Sequence, residues 1–327
     1  MAKLYVSITV DWEGEHFRDL DDLRTTRDAI QQSLGAGAPV THFICPTYWL
    51  SPEQPVDPAR AIRSAVVKGD ELGLHVHCWR SLVDHAGVEF LSTPDWNNDG
   101  TGHGVPLGAY GDRVQVILDC ARRLVQTKLG ATVHGFRCGG AMTSDSVFEA
   151  LMALGFRYDC SAFPPQVVSR GFKRGARGNL RDTLGCRNLI AGFLVDLWGY
   201  ERMTAIEFAN SLSLRGSEGQ AITPFTQPYW VHSGDRKILE MPGNGGISDY
   251  SSADYMTRSF DELLAMARAS AKPLFFNIGC HQEGAGRWKK PLMEFFHGRR
   301  RELSSDAVSV TTVAQAARIA ARGSGGP

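Results

Sequence analysis

His75 and His77 stand one residue apart at the end of an apolar run, Leu72-Gly73-Leu74-His75-Val76-His77. Alternate side chains of an extended segment share a face, so the two imidazoles point the same way. Neutral imidazoles so placed suit a divalent transition metal, and a catalytic zinc site needs only three protein ligands plus water. The third ligand is expected from Asp11-Trp12-Glu13, where charge interrupts another apolar stretch. Two further polar groups end apolar runs in the same manner: Arg137 after Val133-His134-Gly135-Phe136, and His281 after Leu274-Phe275-Phe276-Asn277-Ile278-Gly279-Cys280. The set offers metal ligands, a carboxylate able to act as a base, a cation to hold it ionised, and an imidazole able to act as an acid.

The elements that must gather these residues follow from hydrophobic period and turn chemistry. Residues 4–10, 40–45, 72–76, 133–137, 156–159, 193–198, 238–241, 274–279 and 308–310 read as strands. Helices are expected over 20–34, 58–68, 114–129, 145–154, 253–269 and 311–317. Strands and helices alternate from end to end without a repeat or a dividing linker, which predicts one parallel α/β domain over residues 1–320. Insertions are expected at about 81–112 and 161–190, and a disordered tail at 321–327. In such folds ligands collect at the carboxyl ends of the parallel strands, and Asp11, Glu13, His75, His77, Arg137 and His281 all lie there.

Composition narrows the function further. The chain has 327 residues, with Lys plus Arg equal to Asp plus Glu at 35 each, so no global field recruits nucleic acid. No run approaches the ~18 apolar residues of a membrane span. Met1-Ala2-Lys3 leads straight into a strand too short for a signal-peptide core, so a cytoplasmic protein is expected. Seven scattered cysteines with no Cys-x-x-Cys pair read as reduced thiols rather than a disulfide frame.

In order and spacing these pieces resemble the polysaccharide deacetylase family, the NodB-type carbohydrate esterases. The matching stretches are Thr9-Val10-Asp11-Trp12-Glu13-Gly14, Glu71-Leu72-Gly73-Leu74-His75-Val76-His77, Gly135-Phe136-Arg137-Cys138-Gly139-Gly140, Leu154-Gly155-Phe156-Arg157-Tyr158-Asp159-Cys160-Ser161 and Asn277-Ile278-Gly279-Cys280-His281. The resemblance spans roughly residues 4 to 316 and implies a distorted (β/α) barrel of about seven strands. It implies a divalent metal, zinc foremost with Co2+, Mn2+ or Ni2+ as alternatives, held by Glu13, His75 and His77. Asp11 would be the base, Arg137 its cation and His281 the acid, in removal of an acetyl or formyl group from an amino sugar or its nucleotide-, lipid- or glycan-linked form.

The chain departs from the family at two points. Asp11-Trp12-Glu13 replaces an adjacent Asp-Asp pair, and Trp79 stands four residues beyond His75 where the family usually has its second histidine. A metal-independent hydrolase of cyclic amides or ureides, like the allantoinase relatives, therefore stays open, as does a non-catalytic carbohydrate-binding relative. Trp12 and Trp79 could offer stacking faces to a sugar, and Glu283 a contact beside His281. Arg174, in the basic glycine-rich loop from 170 to 187, would contact a substrate phosphate. The expected partner is a small molecule or glycan, and a homo-oligomer remains open.

Overall fold

The computed structural model describes residues 2–13, 20–34, 37–51, 57–91, 106–141, 143–164, 222–249, 251–282 and 285–323. Its strands are β1 (Leu4–Trp12), β2 (Thr41–Ile44), β3 (Glu71–Val76), β4 (Gly135–Cys138), β5 (Tyr158–Asp159), β6 (Tyr229–Ser233), β7 (Arg236–Glu240), β8 (Gly246–Ile247), β9 (Leu274–His281) and β10 (Val308–Thr311). They form a single curled sheet in the order β6-β7-β5-β4-β3-β2-β1-β9-β8, with β10 pairing the first half of β1. Every pairing is parallel except β6 with β7. The fold is thus an incomplete (β/α) barrel of one α/β domain.

Alternation along β1 separates two environments. Leu4, Val6, Ile8, Val10 and Trp12 join the outer core between sheet and helices. Tyr5, Ser7, Thr9 and Asp11 take the opposite face. The outer layer is supplied by α1 (Leu20–Leu34), α2 (Pro58–Ala65), α3 (Arg80–His85), α4 (Val114–Leu129), α5 (Asp145–Ala153), α6 (Ala253–Ala269), α7 (Ala285–Gly298) and α8 (Arg300–Leu303). Their starts carry the expected chemistry: Asp57, Ser144 and Ser252 accept from the backbone N–H of Ala59, Val147 and Tyr255. Gly130, in the left-handed region at φ 65°, ends α4.

The last helix, α9 (Val313–Gly323), closes the amino-terminal end of the sheet. Its Val313, Ala316, Ala317 and Ala320 form a second core with Phe43, Tyr158, Leu239, Met241 and Phe275. Glu71, at the start of β3, ties this plug in place. It accepts from Tyr158 Oη at 2.6 Å, Thr41 Oγ1 at 3.0 Å and the Ala314 backbone N–H at 2.8 Å.

Several expectations need correction. The helix expected over 58–68 stops at Ala65, because Val66 is already extended. Strands β6 and β8 and helices α7 and α8 lie in stretches for which no element is expected. Ala321, Arg322 and Gly323 continue α9 rather than opening the tail. The first insertion contains α3 and a 3-10 turn over Leu107–Arg113. Residues 92–105, most of the second insertion, the strand expected at 193–198, and both Arg174 and Glu283 lie outside the described residues. Among the described residues no helix is long and apolar enough to cross a membrane.

Candidate active site

Strand register brings the six interrupting residues together. Asp11 lies opposite His281 on β9, and His75 opposite Arg137 on β4. Beyond the last pairing of β1, the Asp11 carbonyl accepts from the Gln282 N–H at 2.7 Å and the Glu13 carbonyl from Tyr48 Oη. The intervening Trp12 is what returns Glu13 to the face of Asp11. The Asp-x-Glu spacing thus delivers both carboxylates to one side of the sheet.

Asp11 and Arg137 form a buried ion pair, each 2% exposed, with Arg137 Nη1 donating to Asp11 Oδ1 at 2.7 Å. Arg137 is fixed on all sides. Nη1 also donates to Thr9 Oγ1 at 2.8 Å, Nε to the Cys160 carbonyl at 2.9 Å and Nη2 to Cys160 Sγ at 3.0 Å. Its guanidinium carbon lies 4.5 Å from the Phe43 ring centroid and 5.2 Å from that of Phe163. Burial alone would favour losing the proton, but Asp11 beside it raises the Arg137 pKa, so the cation persists. Gly279 leaves the room for this packing, since a Cβ there would collide with Thr9 Oγ1.

Three imidazoles converge on one oxygen. Glu13 Oε1 lies 3.2 Å from His75 Nε2, 3.0 Å from His77 Nε2 and 3.2 Å from His281 Nε2. His75 Nδ1 lies 2.9 Å from the Arg137 carbonyl, which can only accept, so Nδ1 carries the hydrogen. His281 Nδ1 likewise faces Asp249 Oδ1 at 2.9 Å, and Asp249 Oδ2 accepts from the His281 N–H at 3.2 Å. When neutral, both rings therefore turn a bare Nε2 lone pair toward a carboxylate oxygen. Lone pairs so opposed need a cation between them, either a proton or a metal ion.

This donor set fits a divalent metal. Ligand atoms of Glu13, His75 and His77 all lie within 4.8 Å of one another, and His75 has the outer carbonyl partner usual for a metal-bound imidazole. Burial opposes charge on Glu13, yet His281 and His77 beside it, with hydrogen bonds from His281 and His75, hold its carboxyl well below the ordinary range. Burial also lowers the His77 pKa, an effect that Glu13 only partly offsets. A carboxylate and neutral imidazoles are the forms in which these groups bind metal.

Trp12 does not serve as a sugar platform. It is fully buried on the outer face, where its indole N–H donates to His42 Nδ1 at 3.2 Å, because alternation turns it away from Asp11 and Glu13. Trp79 sits half-buried at the start of α3, packed against the outer core. Among the described residues, the histidine grouped with Glu13 and His75 is His77, two residues before Trp79. Asp249, just beyond the two-residue strand β8, is hard to place from the sequence, since so short a strand has no readable period. Its only signal is an acid shortly after an apolar residue near a strand end.

Gly139 lies directly against His77. A Cβ at position 139 would come within 2.6 Å of the His77 ring, so Gly139→Ala must displace that imidazole. A misplacement approaching 1 Å costs about 10²-fold in rate, so metal titration and turnover of Gly139→Ala should both show the loss. Wild-type metal affinity in this variant would show that His77 is not a ligand.

No protein-family profile matches the chain, and no curated protein matches it in sequence. Solved structures do share its shape. A structure described as a polysaccharide deacetylase from Mycobacterium smegmatis matches with a TM-score of 0.54 at 15% identity, over 100% of this chain and 93% of that one. Puue allantoinase matches at 0.51 and 14% identity, over 98% and 91%. A probable polysaccharide deacetylase from Pseudomonas aeruginosa PAO1 matches at 0.51 and 11%, over 98% and 92%. The chain therefore has the NodB-type barrel fold of the polysaccharide deacetylases, with Asp11, Glu13, His75, His77, Arg137 and His281 gathered at the carboxyl ends of its strands.

Proposed function

We propose that the chain is a metal-dependent hydrolase that removes an N-acyl group, acetyl or formyl, from an amino sugar or a conjugate of one. The observation that carries this reading is the juxtaposition of two separate machineries: the Asp11–Arg137 pair, and the convergence of Glu13, His75 and His77 with His281 backed by Asp249. A zinc-type ion held by Glu13, His75 and His77 would lower the pKa of bound water toward neutrality and polarise an acyl oxygen.

The chain's own residues handle the protons. Asp11, ion-paired with Arg137, accepts a proton from the attacking water. His281 in its imidazolium form, oriented and supported by Asp249, donates from Nε2 to the departing nitrogen, which could not leave as an amine anion. Asp249 supports the imidazolium without taking its proton, as a buried carboxylate does in a catalytic triad.

The test is acetate or formate release across nucleotide-linked, lipid-linked and polymeric N-acyl amino sugars, with and without a chelator. Release that a chelator stops and added metal restores supports the reading. Chelator-insensitive opening of a cyclic ureide would instead favour the allantoinase-like alternative, whose fold the chain also shares. Saturable sugar binding with no acid released from any substrate would mark a non-catalytic relative.

A further inference from the structure

Behind Arg137 lies a second pair of acids that the reaction does not use. Asp159 and Glu240 are neighbours in register on the parallel strands β5 and β7, and both are 0% exposed. Asp159 Oδ1 accepts from Ser161 Oγ at 2.7 Å, and Glu240 Oε1 from the Ala162 N–H at 3.0 Å. The remaining oxygens, Asp159 Oδ2 and Glu240 Oε2, have no hydrogen-bond partner among the described residues. Two buried acceptor oxygens thus stand on register neighbours with no donor for either.

Two carboxylates could not bond to each other, because neither has a hydrogen to give. One proton turns the two orphan acceptors into a donor and an acceptor and removes a like-charge repulsion. Among the described residues, the titratable groups that influence or adjoin the pair are Arg137 on β4, the Cys160 thiol on β5, and Tyr229 opposite Glu240 on β6. Arg137 is the one cation among them, and it is shared with Asp11. Ionising both members of the pair would therefore place three carboxylates around a single guanidinium. Burial and the neighbouring Asp159 push Glu240 well above the ordinary carboxyl range. Asp159 is raised by burial too, but hydrogen bonds from Glu240, Ser161 and the backbone oppose that rise. The proton accordingly belongs on Glu240.

The pair grips the segments that hold Arg137. Ser161 Oγ, donating to Asp159, accepts the N–H of Cys138, the residue after Arg137. The Ala162 N–H bound by Glu240 precedes Phe163, one of the two rings beside the guanidinium. Cys160, next to Asp159, supplies two of the acceptors for Arg137. We infer that Asp159 and Glu240 share one proton at neutral pH, with Glu240 the donor, and act as positioning residues that hold Arg137 against Asp11. The proton stands on the structure alone, whereas its catalytic consequence rests on the proposed function.

The experiment is thermal unfolding against pH for wild type, Glu240→Gln and Glu240→Ala, with infrared detection of a protonated carboxyl. A carboxyl whose folded pKa is raised binds more protons folded than unfolded, between its ordinary pKa of about 4.3 and the raised one. Wild-type stability should fall as pH rises through that window. Glu240→Gln cannot titrate, and its amide can still donate to Asp159 while its carbonyl accepts from Ala162. Its Tm should gain on wild type by about 2–4 °C per pH unit across the window and converge below it. The protonated-carboxyl band should vanish in this variant. Glu240→Ala should lower Tm at every pH and reduce kcat about 10-fold with little change in KM, and Gln at 240 should recover that loss. A Tm difference between wild type and Glu240→Gln that is flat with pH, or a Gln variant as damaged as the Ala variant, would overturn the proposal. An inactive wild type would count against the proposed function, while the Tm and infrared results would still decide the proton.

Discussion

Asp11→Asn should lower kcat/KM by about 10²–10⁴-fold, the range that positioned proton transfer contributes, while leaving the fold intact. Asn is nearly isosteric and its carbonyl can still accept from Arg137 Nη1, so Arg137 keeps its hydrogen bonds to Thr9 and Cys160. What is lost is the charge and the basic lone pair. Asp11→Ala tests a different quantity, because it leaves a buried guanidinium with neither a counter-ion nor the acceptor that Asn keeps at Nη1. Stranding one member of a buried pair costs about 3–5 kcal/mol, so this variant should lose both activity and stability. The contrast separates chemistry from folding: acid-release assays report the first, and thermal unfolding of the two variants side by side reports the second. If Asp11→Asn turned over within 10-fold of wild type, Asp11 would not be the base. Its burial beside Arg137 would then be purely structural.

Much of this arrangement is legible in the sequence because period two is a strong signal. The stretch from Leu4 to Glu13 alternates inward and outward, so Asp11 and Glu13 must share a face, as must His75 and His77. The same rule puts Trp12 on the opposite face. A substrate contact from Trp12 beside Asp11 and Glu13 is therefore at odds with the alternation of β1. Elements with weak periods are lost: β8 has two residues, and α7 carries Pro291 inside it. Asp249 follows β8 and went with it. Glu240 hides for another reason. An acid at the end of Lys237-Ile238-Leu239-Glu240 reads as a solvated strand end. It takes the register with Asp159 to show that it is fully buried.

The assignment of three ligands and a separate acid divides the histidines in a way that metal analysis can read. His75→Ala and His77→Ala each remove an inner ligand and should weaken metal binding by more than the about 10–100-fold that follows loss of an outer partner. Both should be inactive as purified, with metal content far below one ion per chain. His281→Ala should behave differently. Its Nε2 contacts Glu13, but its Nδ1 is committed to Asp249, and it stands outside the Glu13, His75 and His77 cluster. The metal should therefore remain while kcat falls about 10²–10⁴-fold, the loss expected for an absent acid. Asp249→Asn should keep the metal too and lose part of that rate, because His281 keeps its acidic nitrogen but not the carboxylate that supports its charged form. Should His281→Ala lose metal as completely as His75→Ala, the imidazole at 281 would be a ligand. Another group would then have to protonate the leaving nitrogen.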